Sequence, residues 1–483
     1  MKTLIKKEYK NLLLIITLLL LIHLPLMTKN IISADILLNN YFYKGYSWEI
    51  SLGRFGLYII GILKSFVTVP HIDLLISYVF ISISTILLID LFNIKDKIKK
   101  ILLILIIVLS PITSSTLLFN YCSIGYTFAF LGSISSIYIF YKETNKYLKY
   151  IIPIILIVLS LSMYQAYLSL IVTLFVIYNL KLILDKKENY KESFKYLILL
   201  IIGILFYFIS MKLSQLVFHI DMSSYSNANE IGINTILTIP NKIIDTYKLT
   251  YRFFFTNSII KNTYLHNNII NLLILITISI SIIVNLFKNN INNKNKIITI
   301  LIILTLPIYL NSIIFVISGT KLQLLMSSSY LLIYLLLIYL IPKNNIKYLN
   351  IILIILLLRN NLIQVQSTYL TLENTFNRYN LVIDSAIREN INNSNTKYVV
   401  IGKDKVKSTN ISKQNYGFIS DDSIFWKEYN LRKLGFTRFC EEYYGLNINY
   451  LSEDKALELE NNRTNKLIEN RDDITIINLD YLK

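Results

Sequence analysis

Eleven long runs of Ile, Leu, Val and Phe divide the chain, near residues 11–27, 71–92, 101–118, 122–141, 150–163, 165–184, 197–217, 269–287, 297–317, 327–341 and 349–366. Most reach the length of about 18 residues at which an apolar helix becomes able to cross a hydrocarbon core of about 30 Å. The pattern predicts an α-helical polytopic membrane protein of about eleven spans. The first run follows Lys2, Lys6, Lys7 and Lys10 and lacks an A-x-A-like cleavage site, so it reads as an uncleaved span, with a cleaved signal peptide as the alternative.

Alternate connections are rich in lysine: KDKIKK (95–100), KETNKYLK (142–149), DKKENYKESFK (185–195), KNNINNKNK (288–296) and PKNNIK (342–347). With eleven spans they fall on one side together with the N-terminus, and the positive-inside tendency makes that side cytoplasmic. The complementary loops, 28–70, the turns near Phe119 and Met163, 218–268 and 318–326, are then expected outside. Within 28–70 the stretch ISLGRFGLYIIGILKSF is apolar but interrupted by Arg54 and Lys64 and bounded by Pro70. It fits a helix lying in the membrane interface better than a span.

After residue 366 the apolar runs stop. A charged helical stretch (Thr371 to Asn390) precedes two strand-like runs, YVVIG (398–402) and ITIINL (474–479). Residues 1–366 are therefore expected to form the membrane domain and 367–483 a small extracytoplasmic α/β domain. The net charge of +18 divides as +19 before residue 367 and −1 after it. It follows the membrane loops, where it acts as a topology signal, and gives no support to a nucleic-acid partner. Cys122 and Cys440 show neither a disulfide framework nor a zinc spacing. His23, His71, His219 and His266 do not have metal-site spacing, and no Gly-rich phosphate loop is present, so neither a metal nor a cofactor is expected.

Candidate chemistry gathers in the expected outer segments. Asp35, Glu49 and Arg54 follow the first span. A carboxylate there can take a proton from an attacking hydroxyl, and a guanidinium can hold a phosphate with paired hydrogen bonds. Trp48, Tyr41, Tyr43 and Tyr46 around them also fit an interfacial aromatic belt. In LSMYQAYLSL (161–170), a polar break between two spans sets Tyr164, Gln165 and Tyr167 at the outer face, which on its own is better explained by a tight turn between helices with interfacial tyrosines. Arg252 and Lys321 lie on outer segments against the positive-inside trend and are candidate phosphate contacts.

Taken in order, Asp35, the Trp48…Gly53-Arg54 stretch, the LSMYQAYLSL break and a tail with YVVIG, IFWKEYNLRKLGF and ITIINLDYL resemble the bacterial Gtr-type (type II) glucosyltransferases. These enzymes add glucosyl groups to surface polysaccharide, often the O-antigen. The resemblance implies a GT-C-like architecture and transfer of a sugar from a polyprenyl phosphate to a surface glycan on the outer face of the bacterial cytoplasmic membrane. It makes Asp35 the general base, Glu49 the reserve base and Arg54 a donor-phosphate contact, with Trp48, Tyr164, Gln165, Arg252 and Lys321 as further substrate contacts. The family often shows two adjacent acids where SADIL holds Asp35 alone, and Lys321 stands where an arginine is expected; lysine cannot form a bidentate fork. A lipid-linked glycan flippase and a polysaccharide polymerase are the competing readings. A flippase commonly carries internal repeats and helices broken at the midplane, whereas this chain concentrates its polar residues in expected outer segments.

Overall fold

The computed structural model describes residues 2–39, 42–223, 238–256, 267–288, 291–316, 322–342, 346–389, 396–402, 425, 428–462 and 465–481. These residues are mostly helical and divide into two compact units. One holds Met1–Leu24 and Phe42–Val365; the other gathers Pro25–Tyr41 with the described residues from Gln366 onward.

Each of the eleven apolar runs centres on a helix. Among the described residues eight helices are long and apolar enough to cross a membrane: Pro70–Leu91, Asn120–Lys142, Lys146–Met163, Tyr167–Leu184, Tyr190–Phe218, Asn268–Phe287, Asn293–Leu310 and Lys347–Arg388. A ninth is made if Lys97–Val108 and Pro111–Leu118, bent by 42°, count as one broken span. The bend has a local cause, because Pro111 has no amide to continue the first helix and instead opens the second behind the Ser110 cap. The last two runs form the shorter helices Tyr9–Ile22 and Ser328–Leu340. Tyr9–Ile22 alone is about 21 Å long, but Lys2–Lys7 runs into it through Glu8, whose amide donates to the Leu4 carbonyl at 2.9 Å and whose carbonyl accepts from Leu12 at 3.0 Å, so the two together reach about 30 Å. Single helices of sufficient length thus account for eight or nine of the eleven apolar runs among the described residues.

The Asn- and Asp-containing connections start the helices sharply. Asp96, Asn145, Asn189 and Asn292 each accept backbone amides from the first turn that follows, satisfying donors that a helix cannot pair internally.

Residues 42–67 fold back on themselves. The short helix Ser47–Ser51 and the helix Phe55–Leu63 are followed by a turn in which Ser65 and Phe66 both take left-handed backbone angles. The Tyr43 amide donates to the Phe66 carbonyl at 2.9 Å, and Phe42 bridges to Val67. The segment expected as an interfacial helix is therefore a closed loop carrying a nine-residue helix.

In the second unit, four strands among the described residues make one sheet: β1 (Lys397–Ile401), β2 (Asn449–Tyr450), β3 (Ile468–Arg471) and β4 (Ile474–Asn478), in the order β2-β1-β4-β3. The β-branched runs of β1 and β4 pair in parallel at the centre, Tyr398 opposite Thr475 and Val400 opposite Ile477. β3 returns antiparallel to β4 through a tight turn with Asp472 in the left-handed region. The helix Tyr429–Tyr444 packs on β1 and ends at Gly445. The expected strands are present as β1 and β4, and β2 and β3 join them. The core combines Phe376, Tyr379 and Ile383 of the 43-residue helix Ile346–Arg388 with Phe425, Phe436 and Phe439. Ile32 and Leu37, from the segment after the first apolar helix, are buried in the same core.

Candidate active site

The loop at 47–56 builds the site in the first unit. Successive side chains on the Ser47–Ser51 helix point apart, leaving Trp48 more than half exposed and Glu49 buried. Leu52 and Gly53 turn the chain, and Arg54 occupies the cap position before the Phe55–Leu63 helix. Gly53 adopts φ +80°, a backbone conformation that a Cβ disfavours. The turn brings Arg54 back onto Glu49: the Arg54 amide donates to the Glu49 carbonyl at 2.7 Å, and Nη1 lies 3.4 Å from Glu49 Oε2.

The polar break between Lys146–Met163 and Tyr167–Leu184 supplies the opposite wall. The Arg54 guanidinium lies over the Tyr164 ring, 4.7 Å from its centre, a cation–π arrangement that keeps the charge close to an apolar face. Tyr126 packs behind Tyr164 with ring centres 4.8 Å apart. Gln165 Nε2 donates to the Leu52 carbonyl and, at 2.9 Å, to the Tyr207 hydroxyl. That hydroxyl in turn donates to the Gly53 carbonyl at 3.1 Å. Two stretches about 110 residues apart are thus locked together, with Arg54 between them.

Burial works against the Arg54 charge, but the Glu49 carboxylate outweighs it and holds the guanidinium pKa above its ordinary value. Arg54 Nε is buried with no hydrogen-bond partner among the described residues. A partly buried cation retaining an unused donor suits an anionic oxygen, since an unmet charged donor is costly.

A second ion pair borders the loop. Lys64 Nζ contacts Asp73 Oδ2 and donates to the Tyr121 carbonyl at 3.3 Å, with both charged side chains largely buried. The Tyr121 ring packs on Tyr43, centres 4.7 Å apart. The sequence reading missed Asp73, which is hidden at the start of an apolar run, and treated Lys64 only as an interruption. A lysine and an aspartate straddling Pro70 in an otherwise uncharged stretch were the available signal.

The structure brings Glu49, Arg54, Tyr164 and Gln165 together. Trp48 faces away from them. Arg252 follows the helix Ile239–Tyr251, exposed, beside Phe253, whose ring stacks on Tyr330 at 3.9 Å. Lys321 lies outside the described residues. Asp35 belongs to the second unit, half-buried in the first turn of the helix Ala34–Asn39, with its carbonyl accepting from Asn39 Nδ2 at 2.9 Å. Among the described residues no group of three His, Cys, Asp or Glu side chains is placed to hold a metal ion.

Neither a curated protein nor a solved structure matches the chain. The family model described as glucosyl transferase GtrII matches residues 24–341, a stretch that contains Asp35, Glu49, Arg54, Tyr164 and Gln165. Because that match covers well over half of the chain, the protein belongs to the GtrII glucosyl transferase family, as its ordered motifs indicated.

Proposed function

We propose that the protein moves a hexosyl group, glucosyl by its family, from a polyprenyl-phosphate sugar to a cell-surface glycan of the O-antigen type. The proposed location is the outer face of the bacterial cytoplasmic membrane. The observation that carries this reading is the partly buried Arg54, clasped by Glu49 and the Tyr164–Gln165 break within the matched stretch, with its buried Nε donor unused. A phosphate-bearing donor supplies the acceptor that this guanidinium lacks. As the bond from the anomeric carbon to the phosphate oxygen breaks, its electrons pass to the phosphate, and Arg54 stabilises that charge.

The acceptor hydroxyl attacks the anomeric carbon and gives its proton to Asp35. One displacement of this kind inverts the configuration, so product NMR showing retention would rule it out. Glu49 is the second reading for the base, favoured by its place beside Arg54, but it must leave the guanidinium before it can take a proton. Trp48, Arg252 and Lys321 are assigned to outer contacts with substrate or membrane. The reaction calls for no nucleotide and no ATP, and family membership favours transfer over a flippase or a polymerase.

Transfer of labelled glucose from polyprenyl-phosphate glucose to acceptor glycan in membranes tests the reading. Asp35→Asn is expected to abolish turnover, Arg54→Ala to abolish donor use, and Glu49→Gln to leave measurable turnover. Full activity in both Asp35→Asn and Arg54→Ala would show the assignment to be wrong. The proposed topology, with the N-terminus cytoplasmic and the C-terminal unit outside, predicts that a reporter fused after residue 370 is active only outside; a cytoplasmic signal overturns it.

A further inference from the structure

We infer that the C-terminal unit is the positioning platform for the proposed base. Its core residues Phe436 and Phe439, with Tyr379 and Phe376, set the Asp35 carboxylate through Ile32 and Leu37. This rests on the assignment of Asp35 as base. The helix that carries Asp35, Ala34–Asn39, has six residues, far too few to persist alone. Locally, Leu37 N donates to the Ser33 carbonyl at 2.9 Å, Ile36 N to Ser33 Oγ at 3.4 Å and Asn39 Nδ2 to the Asp35 carbonyl at 2.9 Å. Its tertiary support is large. Ile32 and Leu37 flank Asp35 in sequence, are 4% and 1% exposed, and share one core with Phe376, Tyr379, Phe425, Phe436 and Phe439.

Two further observations fix the segment to the same surface. The helix packs on Tyr429–Tyr444 at Gly435, where a Cβ would lie in ordinary contact range of Leu37 Cδ2 (3.7 Å) and Phe425 Cδ1 (3.4 Å). Lys29 Nζ pairs with Glu373 Oε1 at 2.8 Å, anchoring the start of the segment to the Ile346–Arg388 helix. Every one of these partners follows residue 341, where the family match ends. The inference therefore gives the unmatched part of the chain a share in the reaction: it holds the base in place without touching substrate.

The test uses full-length protein in membranes with polyprenyl-phosphate glucose as donor. Leu37→Ala is expected to lower kcat by about 10- to 100-fold, the scale of a misplaced catalytic group, with the donor KM unchanged. Leu37→Met, which refills the space, is expected to restore it. In full-length Phe436→Ala, hydrogen exchange of the 33–39 amides is expected to rise while that of the Tyr167–Leu184 helix stays unchanged. Wild-type kcat in Leu37→Ala, or unaltered exchange at 33–39 in Phe436→Ala, overturns the platform. Asp35→Asn separates the two ideas. If it is inactive and Leu37→Ala is not impaired, the base assignment stands and the platform fails. If Asp35→Asn is fully active, the base assignment fails, and the exchange measurement decides alone whether the C-terminal unit orders this segment.

Discussion

Replacing Gly53 by alanine should disable the loop that presents Arg54 without altering any charge. At φ +80° a residue with a Cβ bears about 1–2 kcal/mol of backbone strain. The new methyl would also lie 2.6 Å from Met211 Sδ and 2.8 Å from the Tyr207 hydroxyl, closer than carbon tolerates. Moving the Tyr207 ring aside breaks its bond to the Gly53 carbonyl and the one it accepts from Gln165, each worth about 1 kcal/mol. The total approaches about 3–4 kcal/mol, and each 1.4 kcal/mol is about a factor of ten. Allowing for relaxation of Met211, whose thioether chain is flexible, kcat/KM for polyprenyl-phosphate glucose is expected to fall by about 30- to 100-fold in the Gly53→Ala protein. The loss should appear mainly as a higher donor KM, because the donor must recover a loop that has left its binding position. Adding Met211→Ala removes the closest contact and should restore part of the loss, leaving the backbone strain, so the two changes will not be additive. A donor KM equal to that of the wild type in Gly53→Ala, at equal protein in the membrane, refutes the role of this turn.

Arg54→Lys keeps the charge but loses the fork and the flat stack on Tyr164; donor KM is expected to rise by about tenfold or more in the same assay. Asp73→Asn strands the largely buried Lys64 charge and should cost about 3–5 kcal/mol, lowering the unfolding midpoint in detergent, whereas the double change Lys64→Met with Asp73→Leu should be nearly neutral. The double variant being as unstable as the single one would show that the pair is not what holds the loop. Burial pushes the Cys440 thiol up to about 12 from 9.0, so the folded C-terminal unit keeps a proton that the unfolded chain releases earlier. Its contribution to stability is complete below pH 9 and declines as the pH rises from there toward 12. Maleimide labelling of Cys440 should accordingly follow unfolding of this unit, and rapid labelling of the folded protein at pH 8 would contradict the burial.

What the sequence revealed and what it concealed have one physical cause. Hydropathy and β-branching are local properties, and they located the apolar helices, β1 and β4 because each element carries its own signal within a few residues. Span length is local too, but it is divided between elements: the apolar helix Tyr9–Ile22 is short by itself and is preceded directly by the helix Lys2–Lys7. The change in composition at 366 falls inside the Ile346–Arg388 helix and is a change in side chains, not in backbone. Long-range pairing leaves no such trace. That Arg54 would rest on Tyr164, or that Gln165 would hold the Leu52–Gly53 turn, depends on which helices pack together, and polar residues at two span ends announce only that each end is unusual. The same limit explains Asp35. Its neighbours Ile32 and Leu37 carry no mark in the sequence of their partners, which lie more than 300 residues away in Phe376, Phe436 and Phe439. An apolar side chain beside a bilayer has two ways to leave water, into lipid or into a protein core, and its identity does not say which. Only the fold decides, and here it draws Ile32 and Leu37, on either side of the proposed base, into the core of the C-terminal unit.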